Sequence, residues 1–456
     1  MNTLLAITGL GVLCLLFEIM NWRKAIIPFT IIGLLGALAI TVADYGHEQS
    51  HYGNMVVTSN FSVSFSSLFI VLMVFIVGLS HDFYRNAPAK ISDFISIKLF
   101  MLAGAIAMVS FGNLSMFFLG IEILSISLYI LAASNRLNVR SNEAGMKYFL
   151  MGSFASGIIL FGICLIYGAM GTFDIQEISE LTGSAELPEW FFIGIVLLTI
   201  GMLFKIAAVP FHFWAPDVYE GSPALTTAIM STLAKVVAMA TFYKLLTGMN
   251  ANISYEYEVV IMIVSILSMT VGNIMALRQS NVKRMLAFSG ISHAGYMLMT
   301  LLNIRSSAGT LLYYASAYTL AGIAAFAVIL YVCRDKDNEE VYNLNGLGKT
   351  KPFLAAVLTA ALLSMAGIPI FAGFFAKFSL FTQTIQAGYI AVVIAAVINS
   401  IISVGYYFKL ILAMYNKDAT ETPTTTPFAF YAVAAVSILL NIAIGLYPSC
   451  VIGLIP

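Results

Sequence analysis

Charged side chains are scarce in this chain. Only 10% of its 456 residues are Asp, Glu, Lys or Arg, against 60% hydrophobic. A soluble domain carries about 25% charged residues, so an ordinary soluble globule is excluded and most of the chain belongs in a bilayer. Neither sign is in surplus: 22 basic residues balance 22 acidic ones, and charge points to no nucleic-acid partner. Cysteine is also sparse. Cys14, Cys164, Cys333 and Cys450 are scattered through apolar segments. They form no CxxC and no metal-ligand spacing, which leaves small core hydrophobes as their reading. No charged n-region precedes the first apolar segment, which ends at Glu18, and no small-residue cleavage site follows it. The expectation is a retained membrane helix and not a signal peptide.

What the chain does have is long apolar runs. A spanning helix needs about 20 mostly apolar residues. Fourteen segments qualify, at 3–20, 25–43, 64–81, 94–111, 114–133, 146–169, 190–213, 224–247, 257–277, 284–302, 308–332, 353–384, 388–415 and 428–452. The fold class is an all-α polytopic membrane protein of about 14 transmembrane helices in one membrane domain, 1–456. The longest polar connections are 44–63, 170–189 and 333–352, and the TETPTTTP run at 420–427 reads as a loop. Fifteen loop lysines and arginines, from Arg23 to Lys417, fall on one side, and only Arg305 on the other, which also carries Asp174, Glu177, Glu180, Glu186 and Glu189. Positive charge marks the cytoplasmic side. Both termini are therefore expected outside, in the periplasm of a bacterium.

Six basic residues remain, all inside helices: Lys98, Lys205, Lys235, Lys244, Lys377 and Lys409. Lys98, Lys244 and Lys409 lie near helix ends, where long side chains snorkel to the interface. Lys205, Lys235 and Lys377 lie too deep for that. Glu122 is the one deep acid, and His293 the one histidine well inside a helix. A charge at mid-bilayer costs on the order of 3 kcal/mol, so these groups must face protein or water and have partners. Structural ion pairs alone would balance their charges, and these do not. Burial favours a lysine's neutral form and a nearby carboxylate its charged form, so a lysine between the two serves a proton relay. His293, near neutrality by nature, suits a place between Lys235 and Lys377. Ser231 and Thr227, one and two turns before Lys235, give that helix a polar stripe. His212 is expected to brace the loop after helix 7.

Two prolines interrupt helices close to these lysines. Pro210 follows Lys205 in helix 7, and Pro369 precedes Lys377 in helix 12. Each frees a backbone carbonyl, which membranes tolerate where protein or water satisfies it. Interrupted helices in corresponding places point to duplicated halves. Two inverted five-helix repeats, helices 4–8 (91–248) and 9–13 (257–416), come after an N-terminal unit of helices 1–3 (1–90) and precede a C-terminal helix (428–456).

PFHFWAPDVYEGSP at 210–223 with Lys205 upstream, NVKRMLAFSGISHAGYML at 281–298 and GIPIFAGFFAKF at 367–378 together resemble the antiporter-like proton-pumping membrane subunits of respiratory complex I, NADH:quinone oxidoreductase. The resemblance spans nearly the whole chain. PDVYEGSP departs from the PDAxxxAP of that family's subunits M and L. Lys377 stands where subunit M has glutamate, and the long lateral helix of subunit L is missing. The resemblance implies that Glu122 pairs with Lys205, that Lys235 is the central lysine, and that Lys377 ends the relay towards the periplasm. His293 falls in the matching helix-10 segment. It also implies no cofactor in this chain, with NAD, FMN, iron–sulfur clusters and quinone held by other subunits. The implied partners are other membrane subunits, K and M among them, together with lipid and protons, in a bacterial inner membrane. The nearest alternative is an Mrp-type cation/proton antiporter subunit, which shares the fold and the buried lysines. A quinone-reducing subunit would need a cysteine cluster or paired deep histidines, and a passive scaffold leaves the lysines unexplained.

Overall fold

A computed structural model describes residues 1–84, 91–184, 187–249, 255–334, 336, 338–416, 418 and 427–455. Arg85, Lys90, Glu186, Lys417 and residues 420–426 of the TETPTTTP run lie outside the described residues. The spanning elements are α1 (Asn2–Ile19), α2 (Ile26–Ala43), α3 (Asn60–Phe83), α4 (Ile91–Ser110), α5 (Leu114–Ala132), α6 (Val139–Met170), α7a (Glu189–Lys205) with α7b (Trp214–Gly221), and α8 (Ala224–Gly248). Then come α9 (Tyr255–Leu277), α10 (Val282–Leu298), α11 (Ala308–Val332), α12a (Pro352–Ala366) with α12b (Ala372–Gln386), α13 (Ile390–Asn416) and α14 (Phe428–Leu446). Twelve helices among the described residues are long and apolar enough to cross a membrane. The other two expected spans are the interrupted α7 and α12, which fall short because each stops in mid-course.

Helix starts follow cap chemistry. Asn113 accepts from the Met116 amide at 2.8 Å to open α5, and Ser59 with Ser62 forms a reciprocal capping box at α3. Asn281 caps α10 through the Arg284 amide. The connections on the side away from the basic loops are not featureless. Residues 49–51 and 56–58 pair as a small antiparallel ribbon, and Ile175–Ser184 forms a short helix. Both satisfy backbone groups that a bare loop would leave to solvent.

Position in the bundle follows burial. In α10 and α11 every residue of the spanning window is buried within the chain, and in α8 94% are, whereas α1 and α2 bury only 28% and 33%. The core therefore lies around α8, α10 and α11, and α1 and α2 form the rim. Helix α11 packs against α12a, α12b, α14 and the middle of α8. Lys98 corrects the snorkelling expectation. It is 0% exposed, its ammonium donates to Ser80 Oγ at 2.8 Å, and it lies 4.7 Å from the Tyr84 ring centroid. Packing of α4 against α1, α3 and α5 closes every route to the interface. Lys244 also turns inward, donating to the Val109 carbonyl at 2.8 Å, in the last turn of α4, where carbonyls lack helical partners. Lys409 does reach the surface, where it binds the Gln279 carbonyl at 2.7 Å.

Candidate functional site

The two breaks are built differently. After Lys205 the chain unwinds over 206–213, with Ala207 at φ 58°, before α7b begins. The carbonyl of Phe204, at the end of α7a, accepts from the Trp214 indole at 3.1 Å as well as from the Ala207 amide at 3.0 Å. The Val209 amide donates to Ser268 Oγ of α9 at 2.9 Å, tying the first break to the second half of the chain. His212 is buried, its ring 4.3 Å from that of Phe213, while its carbonyl accepts the Ala215 amide. In α12 the chain turns at Gly367, φ 89°, and passes Ile370, φ 90°. The freed Ala366 carbonyl is answered by Lys377 itself, whose ammonium donates to it at 2.9 Å. The same ammonium donates to Ser400 Oγ of α13 at 2.9 Å and stands 5.0 Å from the Tyr296 ring centroid, a cation–π distance.

Lys205 and Glu122 do not close an ion pair. The Lys205 ammonium donates to Ser125 Oγ at 2.8 Å and Ser156 Oγ at 3.2 Å. Ser125 lies one turn beyond Glu122 on the same face of α5, so the hydroxyl occupies the place the carboxylate was expected to take. Glu122 stays within electrostatic range of Lys205, and its Oε1 is buried without a hydrogen-bond partner among the described residues.

The other three groups converge. Lys235 is 2% exposed and its ammonium has no hydrogen-bond partner among the described residues. It comes directly after a π-helical stretch of α8, Met230–Ala234. The expected polar stripe on α8 is only partly available. Thr227 spends its hydroxyl on the Tyr219 carbonyl at 2.8 Å, and the π turn rotates the residues beyond it about the helix axis. His293 is 4% exposed and caged by tyrosines: Nδ1 lies 2.8 Å from Tyr314 Oη and Nε2 3.2 Å from Tyr407 Oη. Tyr407 in turn meets Ser289 Oγ at 2.5 Å. Between His293 and Lys377 lies a cavity of about 10 Å³, bordered by Tyr314, Tyr318, Ser364 and Gly373, about the room one water needs. Both Lys235 and Lys377 act electrostatically on His293. The structure thus assembles Lys235, His293 and Lys377 in one polar centre and leaves Glu122 and Lys205 as a second, separate group.

Sequence reasoning missed the hydroxyls. Ser125, Ser156 and Ser400 carry no signal, since serine is common in membrane helices. The tyrosines had one: Tyr314 and Tyr318 stand at i and i+4 in mid-span, away from the interfaces where tyrosine is usual.

On the basic-loop side a cavity of about 700 Å³ opens at the feet of α8, α10 and α11, bordered by Arg140, Glu220, Ser222, Lys283, Arg334 and Glu339. Lys283 bridges it, donating to the Ser222 carbonyl at 2.8 Å and pairing with Glu339 at 2.9 Å. Beside it, Arg284 clamps α7b through Asp217 at 2.7 Å and Glu220 at 2.9 Å, and Lys147 reaches Asp217 at 3.3 Å. Partial burial pushes the Asp217 carboxyl up, but hydrogen bonds and charge from Arg284 and Lys147 outweigh it and hold the group below the ordinary carboxylate range. Among the described residues, no group of three or more His, Cys, Asp or Glu side chains could hold a metal ion.

Residues 112–403 match the family described as NADH:quinone oxidoreductase/Mrp antiporter, TM. The chain is 71% identical to NADH-quinone oxidoreductase subunit N of Flavobacterium johnsoniae over the whole of both chains. Among solved structures it superposes on a chain of respiratory complex I from Thermus thermophilus with a TM-score of 0.86 at 30% identity, covering 99% of this chain and 98% of that one. It superposes on a chain of the Mrp complex from Dietzia sp. with a TM-score of 0.87 at 22% identity, covering 99% and 95%, a likeness of fold. The chain therefore belongs to the antiporter-like membrane subunits of the NADH:quinone oxidoreductase and Mrp antiporter family, on the subunit N branch.

Proposed function

We propose that this chain translocates protons across a bacterial inner membrane as a non-redox subunit of NADH:quinone oxidoreductase, with both termini periplasmic and subunits K and M as neighbours. NAD, FMN, iron–sulfur clusters and quinone belong to other subunits in this reading. The observation that carries it is the polar centre of Lys235, His293 and Lys377. Three titratable side chains on three helices are each at most 5% exposed, no carboxylate balances them among their contacts with the described residues, and the broken α12 supplies one of their acceptors.

Glu122 and Lys205 form the input in this scheme. Quinone chemistry elsewhere in the complex changes the charge beside Glu122, and Lys205 responds by exchanging hydroxyl partners and proton. At an effective dielectric of ~20, charges ~5–8 Å apart interact by about 2–3 kcal/mol. That is enough to change a proton affinity by one to two powers of ten. The change drives a proton through Lys235 and His293 to Lys377, and the cavity between the last two gives room for a single bridging water. The vestibule beneath α8 supplies protons from the basic-loop side.

Two measurements test this. Glu122→Gln and Lys205→Ala, each in the assembled complex in sealed vesicles, should lower proton translocation per NADH oxidised by about tenfold. Normal rate and stoichiometry in both variants would overturn the scheme. Affinity purification from native membranes should recover quinone-oxidoreductase subunits with the chain, and recovery of cation-antiporter subunits instead would give the Mrp reading.

A further inference from the structure

Lys235 differs from the other deep lysines. Lys98, Lys205 and Lys377 each donate to at least one hydroxyl or carbonyl, whereas the Lys235 ammonium has no such partner among the described residues. What fixes its place is a neighbour on another helix. The Tyr318 hydroxyl of α11 donates to the Ser231 carbonyl at 2.9 Å, inside the π-helical stretch that immediately precedes Lys235. Such a stretch disrupts the regular i to i−4 ladder, and an outside donor on one of its carbonyls holds it. The helices come close enough because α11 has Gly322 one turn beyond Tyr318: a Cβ there would meet the Thr232 methyl at 2.7 Å.

Gly290 of α10 marks the gap. A Cβ at Gly290 would lie 3.0 Å from Lys235 Nζ and 3.1 Å from Tyr318 Oη. Both polar ends thus point at one bare spot on α10 and stand no more than about 6 Å apart. Gly290 is three residues before His293, on the same face, and the Tyr318 ring lies 4.6 Å from the His293 ring. Tyr318 therefore touches both sides of the space between Lys235 and His293.

We propose that Tyr318 is the positioning residue for proton passage between Lys235 and His293, and that Gly290 keeps the space between them open. Tyr318 pins the π turn and so sets the height of the Lys235 ammonium. Its hydroxyl also lies 3.5 Å from the Ser231 hydroxyl, and exchange from Ser231 towards the lysine would bring the two polar ends together. No proton is assigned to the phenol as a stopping place; its task is to place the lysine and to exchange acceptors. The groups facing Lys235 are Tyr318 from α11 and His293 from α10, with Lys377 beyond. This role rests on the relay proposed for the chain.

The test uses the complete complex in sealed membrane vesicles, assayed for NADH-driven proton uptake across a pH series. Tyr318→Phe deletes only the hydroxyl and should slow translocation roughly fivefold and displace the pH optimum by about half a unit or more. Gly290→Ala places a methyl against two flexible side-chain ends, which the fold can accommodate, and should produce the same displacement. A purely structural tyrosine would reduce the amount of assembled complex without moving the pH profile. Lys235→Ala separates the two readings. If it pumps normally, the relay itself is wrong. If it stops pumping while Tyr318→Phe and Gly290→Ala leave rate and pH profile unchanged, only the role of Tyr318 and Gly290 is overturned. Should Tyr318→Phe fail to assemble, the Gly290→Ala profile decides alone.

Discussion

An ammonium has three protons to place, and the deep lysines place different numbers. Lys377 finds a carbonyl, a hydroxyl and an aromatic face; Lys205 finds two hydroxyls; Lys98 finds one hydroxyl and a ring; Lys235 finds none among the described residues. Neutral acceptors leave room for a proton to come and go, where a closed carboxylate pair would hold it. Lys98 is the useful control, because it is the most buried and stands outside the relay. A buried, incompletely paired charge is replaceable by an apolar side chain of similar volume at little or no cost. Lys98→Met should therefore raise the thermal midpoint of the complex, or leave it, with proton translocation unchanged. A loss of translocation would place Lys98 in the pathway. The deep lysines were legible through bookkeeping of the loops, since six basic residues had no loop to sit in. That bookkeeping could not separate Lys98 from a snorkelling lysine, because depth along a helix is readable from sequence and the packing that closes its flank is not.

At the scale of elements, the prolines announced both breaks, and the breaks lie where Pro210 and Pro369 put them. What the prolines could not announce is which side chains answer the carbonyls at the breaks, a tryptophan at Phe204 and a lysine at Ala366, because both answers come from chain that has turned back on itself. The second break also holds a β-branched residue in the left-handed region, Ile370 at φ 90° and 66% exposed. That conformation costs of order 1–2 kcal/mol, and little burial would be lost by removing the side chain. Ile370→Gly should stabilise the chain by about 1 kcal/mol, read as a higher thermal inactivation midpoint. Helix α7b is held from outside by charge. Asp217 is depressed in the folded chain, so its contribution is present above the ordinary carboxylate pKa of about 4 and is lost as pH falls below it. Amide protection in 214–221, with the intrinsic pH dependence of exchange divided out, should fall on acidification through that window, and Asp217→Asn should give the low protection at neutral pH and abolish the fall. The π turn of α8 left no mark in the sequence. Thr227, Ser231 and Lys235 keep their α-helical spacing on paper, and the π-helical backbone of Met230–Ala234 shows that the register has slipped.

For the molecule as a whole, the spans and the signature runs were legible because hydrophobic length is a property of local sequence. The inverted repeat remains a proposal. Supporting it, α4 packs on α5 as α9 does on α10, and α6 packs on α7a as α11 does on α12a. Orientation can be checked directly. Single cysteines at position 2 and at position 136 should react with an impermeant maleimide from opposite faces of the membrane, position 136 from the cytoplasm. Reaction from one face would remove the topology on which the relay's direction depends.

The burial of α11 has a consequence for how the protein is made. No residue of its spanning window faces lipid, and two of its main partners, α12a and α14, come later in the chain. During synthesis the face of α11 that meets α12a and α14 must therefore wait in the bilayer, with the Tyr313 hydroxyl lacking the Ile444 carbonyl of α14 to which it donates, until three more spans have been delivered. A chain stopped after residue 332 would carry α11 with that face unwrapped, a ready substrate for membrane quality control.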